Sequence, residues 1–252
     1  MSNIFLFDVD GTLTPAKEKI DPTFSTAFLR WMKGKEVYIV SGGSFVRIIE
    51  QLGLDVVNQC AGVFSCMGNI FYQKRDQINP SGFEEWQVMY ENKFRKPRGL
   101  ISKLDKIVEE SLYSTKTGKH YEERVGMLNF SIVGRNATMK QRKEYAEYDA
   151  QNHERQALVN QLTKQYSSLD FVIGGAVSID IFKIGEDKSQ IIDKYFKEAL
   201  EHNKIMFVGD RIPFPGNDAS LAIALRQHSN GSAFEVHGWP DTAELLKTDA
   251  FA

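Results

Sequence analysis

Ile4-Phe5-Leu6-Phe7-Asp8-Val9-Asp10-Gly11-Thr12 decides the fold. Four apolar residues lead into two carboxylates two positions apart. The run reads as a buried parallel strand, Ile4–Asp8, and Gly11 lets the chain turn after it. Acids at the carboxyl end of such a strand fall in the crevice where open α/β sheets bind ligands. Alternation puts Asp8 and Asp10 on one side if the strand persists. Two close carboxylates are costly unless a cation lies between them or one is protonated. A Mg²⁺ site and a nucleophile paired with a general acid are the two useful solutions. An acidic turn after a strand uses the same residues, and partners elsewhere in the chain must separate these readings.

Further along, Glu36–Val40 and Lys204–Val208 are short, apolar and β-rich, and each runs into polar, glycine-containing sequence. Helical patterns over Phe24–Met32 and Phe45–Leu52 follow the first two strands. Strands alternating with helices predict a doubly wound, Rossmann-like α/β core. Its strand ends carry Asp8, Ser41-Gly42-Gly43-Ser44 and Gly209-Asp210.

The middle of the chain follows another pattern. Leu100, Leu104, Ile107, Val108 and Leu112 make an apolar helical stripe. In Met127–Val133, Leu128, Phe130 and Ile132 face one way, and Met127, Asn129 and Ser131 the other. Over Val177–Phe182, Val177, Ile179 and Ile181 point to a core, with Ser178 and Asp180 away from it. Such alternation marks an antiparallel sheet with one packed face. Thr138–Asn160 is long and charged and reads as two helices. The expectation is an inserted α+β cap domain over residues 83–183, mounted on a core formed by residues 1–82 and 184–252. Asn79-Pro80-Ser81-Gly82 is the first candidate linker, and Lys183–Gly185 the second crossing.

Composition narrows the partners. The 252 residues are 42% hydrophobic and 25% charged, with a net charge of −2. That balance excludes a general nucleic-acid or membrane binder, and no apolar run approaches the roughly 18 residues of a span. The start of the chain lacks the pattern of a signal peptide. Cys60 and Cys66 lack disulfide or zinc spacing and read as buried thiols of a cytoplasmic protein. A small anionic substrate would need placed arginines and lysines.

Four elements of the core converge on phosphoryl transfer. Asp8 and Asp10 are the first. Ser41-Gly42-Gly43-Ser44 is the second: small residues at a helix start let backbone N–H groups approach an anion, although an ordinary turn and N-cap would use the same residues. Lys188 is the third; a cation at a helix start is electrostatically odd, and a phosphate or aspartate partner would explain it. The fourth is Gly209-Asp210 followed by Pro215-Gly216-Asn217-Asp218, with Asp210 a candidate metal ligand and Asp218 a support or further ligand.

Asp8–Thr12, Ser41, Lys188 and Gly209-Asp210, in this order, resemble the haloacid dehalogenase superfamily of phosphotransferases. The resemblance implies that Asp8 is the nucleophile, Asp10 the general acid and base, and Ser41 and Lys188 the phosphoryl ligands. It also implies Mg²⁺ held by Asp8, Asp10 (through its backbone carbonyl) and Asp210. The middle of the chain narrows this. Arg124-Val125-Gly126-Met127-Leu128-Asn129, Gly134-Arg135, Arg142 and Gly174-Gly175-Ala176-Val177-Ser178-Ile179-Asp180 resemble the cap of the eukaryotic-type phosphomannomutases. By that resemblance Arg124, Arg135 and Arg142 grip the distal phosphate of a hexose phosphate, and Asn129, Ser178 and Asp180 meet sugar hydroxyls. It further implies a homodimer through the cap and a hexose 1,6-bisphosphate activator. Cys66-Met67-Gly68 departs from the family's Glu-Asn-Gly, and Pro215-Gly216 from its paired glycine; Ala219–Arg226 is more apolar than expected. A mutase moving phosphate between C6 and C1 of a hexose is the expected activity. A sugar-phosphate phosphatase of the same superfamily is the alternative, and retention of Asp8, Asp10, Lys188 and Asp210 argues against a mere binding protein.

Overall fold

The run that ends in Asp8 is an interior strand of a seven-stranded sheet in the computed structural model of the chain. The structure describes residues 3–74 and 86–252; the Asn79–Gly82 linker expected from sequence lies outside them. The chain begins β1 (Asn3–Phe7), α1 (Pro22–Trp31), β2 (Glu36–Val40), α2 (Phe45–Leu52) and α3 (Leu54–Gln59). It continues β3 (Gly62–Ser65), β4 (Ile70–Lys74), β5 (Trp86–Glu91) and α4 (Leu100–Glu110). Next come β6 (Tyr121–Arg124), β7 (Met127–Phe130), α5 (Met139–Asn152), α6 (Glu154–Gln165), β8 (Leu169–Gly174) and β9 (Ser178–Lys183). It closes with α7 (Ala199–His202), β10 (Lys204–Gly209), α8 (Ala219–Arg226), β11 (Gly231–Glu235) and α9 (Trp239–Leu245).

The larger sheet has the order β11-β10-β1-β2-β3-β4-β5. The first five are parallel, and β4 and β5 are antiparallel additions at one edge. From β1 the chain moves outward through β2 and β3, and later returns to β10 on the other side of β1. The order reverses at β1 and β10, whose carboxyl ends carry Asp8 and Asp210; ligands of doubly wound sheets bind at such switch points. Both faces are packed, which is why the strands read as continuous apolar runs. Phe5, Phe7, Val37 and Ile39 join α1 and α3 residues in one core, while Ile4, Leu6, Tyr38 and Val40 join Leu221, Ala222 and Leu225 of α8 in the other. The apolar Ala219–Arg226 stretch is thereby explained: its Leu and Ala residues cover this second face. Asp21 sets the start of α1, accepting from Thr23 N and Phe24 N with Pro22 in the first helical turn.

Two compact units result, one from Met1–Glu91 with Glu186–Ala252, the other Asn92–Gly185. The first crossing falls after Glu91 rather than after residue 82, because Trp86–Glu91 pairs with β4 at the edge of the larger sheet. The second falls after Gly185. The smaller unit is an antiparallel sheet, β6-β7-β9-β8, with one face in an apolar cluster of Leu128, Phe130, Ile179 and Ile181 against residues of α4, α5 and α6. Thr138 and Gln141 form a reciprocal capping box at the start of α5. Leu112 corrects the expected stripe. α4 ends at Glu110, Ser111 is extended with its hydroxyl on Glu154, and Leu112 is 90% exposed.

Candidate active site

Asp8 ends β1, and its backbone N–H donates to Val208 O, tying it to β10. Its side chain is almost fully buried beside two further acids: the carboxylate oxygens of Asp8, Asp210 and Asp218 lie within 4.8 Å of one another. Lys188, wholly buried, donates from Nζ to Asp8 Oδ1 and Asp218 Oδ1, each at 2.6 Å. The sequence allowed a phosphate or an aspartate as the partner that explains this lysine; two aspartates fill the role.

One ammonium does not balance three acids. Burial pushes the Asp8 carboxyl well above its ordinary range, and Asp218 and Asp210 add to this against the pull of Lys188. Asp210 is pushed up to about 7, by burial first and then by Asp218, against Arg211 and Lys188. Burial disfavours the Lys188 charge, but Asp218 and Asp8 outweigh it and hold the ammonium above its usual range. Carboxylate oxygens short of positive charge suit a hard divalent cation. The donor set thus fits Mg²⁺, with Asp218 joining Asp8 and Asp210. Asp10 contributes otherwise: its Oδ1 accepts from Lys17 N at 2.6 Å and Gln51 Nε2 at 2.8 Å. That leaves its expected metal role resting on the backbone carbonyl.

The loop after Asp8 is shaped by its neighbours. Gly11 has φ +81°, and a Cβ there would lie 2.3 Å from Asp210 Oδ2. Thr12 Oγ is buried with no hydrogen-bond partner among the described residues. Ser41, buried at the end of β2, accepts from Gly43 N through its hydroxyl. Its backbone N–H and C=O pair with Phe64 O and Met67 N. The departure at Cys66-Met67-Gly68 is accommodated by three successive left-handed residues, with φ of 52°, 64° and 79°. Asn69 Nδ2 donates to Cys66 O and Gln190 Nε2 to Met67 O, which fixes the turn. At the other departure, Gly216 is required because a Cβ would lie 2.1 Å from Arg211 O.

In the smaller unit four of the expected sugar and phosphate ligands, Arg124, Asn129, Arg135 and Asp180, form one hydrogen-bonded row with Glu122. Asn129 pairs in register with Glu122 on one side and Asp180 on the other. Asn129 Nδ2 donates to Asp180 Oδ1 at 2.6 Å, and Arg135 Nη1 to Asn129 Oδ1 at 2.6 Å. Arg135 also donates to Glu122, as does Arg124 at 2.8 Å. Ser178 is buried at the start of β9, and Arg142 is buried in the first turns of α5. Arg155 is different: its Nε bonds Asp149 at 2.8 Å and its Nη1 reaches Gly175 O and Ser178 O, a structural clamp.

These features have relatives. The model of the eukaryotic phosphomannomutase family matches residues 25–248. A phosphomannomutase of Dendrobium officinale is 33% identical over 97% of this chain and 92% of its own length. The phosphomannomutase of Saccharomyces cerevisiae is 30% identical over 96% and 92%, and phosphomannomutase 1 of Mus musculus 32% over 94% and 84%.

The chain belongs to the eukaryotic phosphomannomutase family.

Solved structures agree on the fold. A subclass IIB sugar phosphatase of the haloacid dehalogenase superfamily superposes with a TM-score of 0.57 at 15% identity, covering 100% of both chains. A protein related to trehalose-6-phosphate phosphatase gives 0.53 at 20% identity, covering 98% and 96%. For a member of this family, sequence reasoning brought Asp8, Lys188 and Asp210 to one place, and Arg124, Asn129, Arg135 and Asp180 to another. It left Asp218 open as a support or a further ligand, and the structure places it within the cluster beside Asp8 and Asp210. It missed Gln51, which also bonds Thr14 and lies at the end of α2, where an amide reads as surface. It missed Glu122 too, inside a charged run that resembles a solvated edge.

Proposed function

We propose that this chain is a Mg²⁺-dependent phosphomannomutase interconverting mannose 6-phosphate and mannose 1-phosphate, primed by a hexose 1,6-bisphosphate. The observation that carries the reading is the buried cluster of Lys188 with Asp8, Asp210 and Asp218 in a chain of this family. Asp8 attacks phosphorus and becomes an aspartyl phosphate, while Asp10 gives its proton to the departing sugar oxygen. The second sugar hydroxyl then returns its proton to Asp10 as it takes the phosphoryl group. Gln51 and Lys17 N hold Asp10 by one oxygen, which orients the other. Ser41 and Lys188 bind the phosphoryl oxygens. Bound at Asp8, Asp210, Asp218 and the Asp10 carbonyl, Mg²⁺ offsets the repulsion between a carboxylate and an anionic phosphate.

The smaller unit serves as the specificity cap. Arg124, Arg135 and Arg142 hold whichever phosphate is not reacting, since a guanidinium fork matches phosphate oxygens. Asn129, Ser178 and Asp180 meet the sugar hydroxyls. Pairing of this unit with a second copy is the corresponding proposal for assembly, and it rests on the family resemblance. A cytoplasmic setting is supported by the free, buried Cys60 and Cys66. Among the described residues no helix is long and apolar enough to cross a membrane.

The test supplies mannose 1-phosphate, Mg²⁺ and a trace of hexose 1,6-bisphosphate, and follows mannose 6-phosphate and free phosphate separately. Isomer in large excess over free phosphate is expected. Stoichiometric free phosphate with little isomer would replace the mutase by the phosphatase.

A further inference from the structure

Two arginines of the smaller unit converge on a single carboxylate oxygen. Glu122 Oε2 accepts from Arg124 Nη2 at 2.8 Å and Nε at 3.3 Å, and also from Arg135 Nη2. A phosphate oxygen bridging two guanidiniums would take the same place. The arginine side chains are only 9% and 14% exposed, so the pair is held in a partly dry setting, while Glu122 is 40% exposed at the open side. Glu122 and Arg135 also line a cavity of about 730 Å³ with Lys119 among its other walls. The second fork arm of Arg135 is taken by Asn129, which is tied in turn to Asp180.

We propose that Glu122 is an internal counter-anion for the phosphate grip. It keeps Arg124 and Arg135 side by side before substrate arrives, and it weakens their hold on a phosphate dianion. The inference rests on the reading of these arginines as phosphate ligands. A mutase needs such moderation, because the grip that holds one phosphate must release it and take the other. With Glu122 the pair carries one net positive charge; without it, two. A unit charge that competes with the phosphate in a half-exposed place screened by salt changes affinity by about three- to tenfold.

The experiment measures KM for mannose 6-phosphate, whose phosphate occupies the arginine grip while the phosphorylated Asp8 faces its free hydroxyl, and for 4-nitrophenyl phosphate, whose lone phosphate must enter the Asp8 site, at fixed ionic strength. The full chain is compared with Glu122→Gln, Glu122→Asp, Arg135→Ala and the Glu122→Gln/Arg135→Ala double variant. In Glu122→Gln the ratio of the sugar-phosphate KM to the aryl-phosphate KM is expected to fall about three- to tenfold. Glu122→Asp, which keeps the charge, stays within about twofold of the starting ratio. The fall shrinks in the Arg135→Ala background, since Glu122 acts through that side chain. A ratio that rises or stays put in Glu122→Gln, with circular dichroism unchanged, would overturn the proposal. An unchanged sugar-phosphate KM in Arg135→Ala would overturn the phosphate reading itself, and the proposal with it.

Discussion

Replacing Lys188 by methionine removes one charge from a fully buried polar site in the core. Methionine nearly fills the space of the lysine stem, so the packing loss is small. The electrostatic loss is not small. Two hydrogen bonds of 2.6 Å vanish, and Asp8 and Asp218 are left buried with Asp210 nearby and no ammonium. Breaking a buried ion pair from one side costs about 3–5 kcal/mol, because the remaining charge keeps its desolvation penalty. The pH dependence carries a definite sign. Asp8 and Asp210 are raised already in the wild type, and losing the ammonium that pulls them down raises them further, so the folded variant takes up protons that the unfolded chain does not. Stability then falls as pH rises from about 4 through the folded pKa values. The assay is urea unfolding of wild type and variant with chelator present, at pH 5 and pH 7.5. The expected penalty is about 3–5 kcal/mol at pH 7.5 and smaller at pH 5. A penalty below about 1 kcal/mol at pH 7.5, or one that grows on acidification, would refute the reasoning. Full sugar-phosphate turnover by the variant would separately remove Lys188 from the phosphoryl site.

The metal-free wild type should itself lose stability as pH rises. Asp210 is raised from 3.8 to about 7, so the protonated form that favours folding disappears across that interval, with a ceiling of about 4 kcal/mol. Calorimetric scans between pH 4 and pH 8 should show this slope with chelator and a flatter one with Mg²⁺; a slope of opposite sign would count against the charge-deficient cluster. Gly11→Ala forces a side chain to adopt φ +81° and thrusts a methyl group against Asp210 Oδ2. Backbone strain of about 1 kcal/mol and a displaced carboxylate should raise the Mg²⁺ concentration for half-maximal activity by about tenfold or more, read from metal titrations. An unchanged requirement would mean that Asp210 does not hold the ion.

The sequence discloses the parts of the molecule whose chemistry is local. β1, β2 and β10 are packed on both faces, and their unbroken apolar runs end where polar groups must begin. β5 and β11 escaped because edge strands bury little: Val88 and Met89 of β5 are about half exposed, and β11 alternates between exposed and half-buried residues. Leu112 fitted a helical period but falls beyond the last helical residue, since periodicity alone does not end a helix. Lys188 was legible as an anomaly without its partners, which lie 180 residues before it and 30 after it.

The polar face of the smaller sheet shows where residue-by-residue reading stops. Alternation along β7 and β9 correctly put Asn129, Ser178 and Asp180 off the apolar cluster. A side chain off the core can meet water, a ligand or its neighbours, and alternation cannot choose among them. The register decides: it lines Glu122, Asn129 and Asp180 across three strands, and Arg135 closes the row from a loop. Polar groups already bonded to one another are held in position before a substrate comes, which lowers the entropy cost of binding. On the proposed reading of Arg124 and Arg135 they would also set a threshold, because an incoming phosphate would have to compete with a carboxylate already in place. Affinity at this face would then be a difference between two anions, and only one of them is written in the chain.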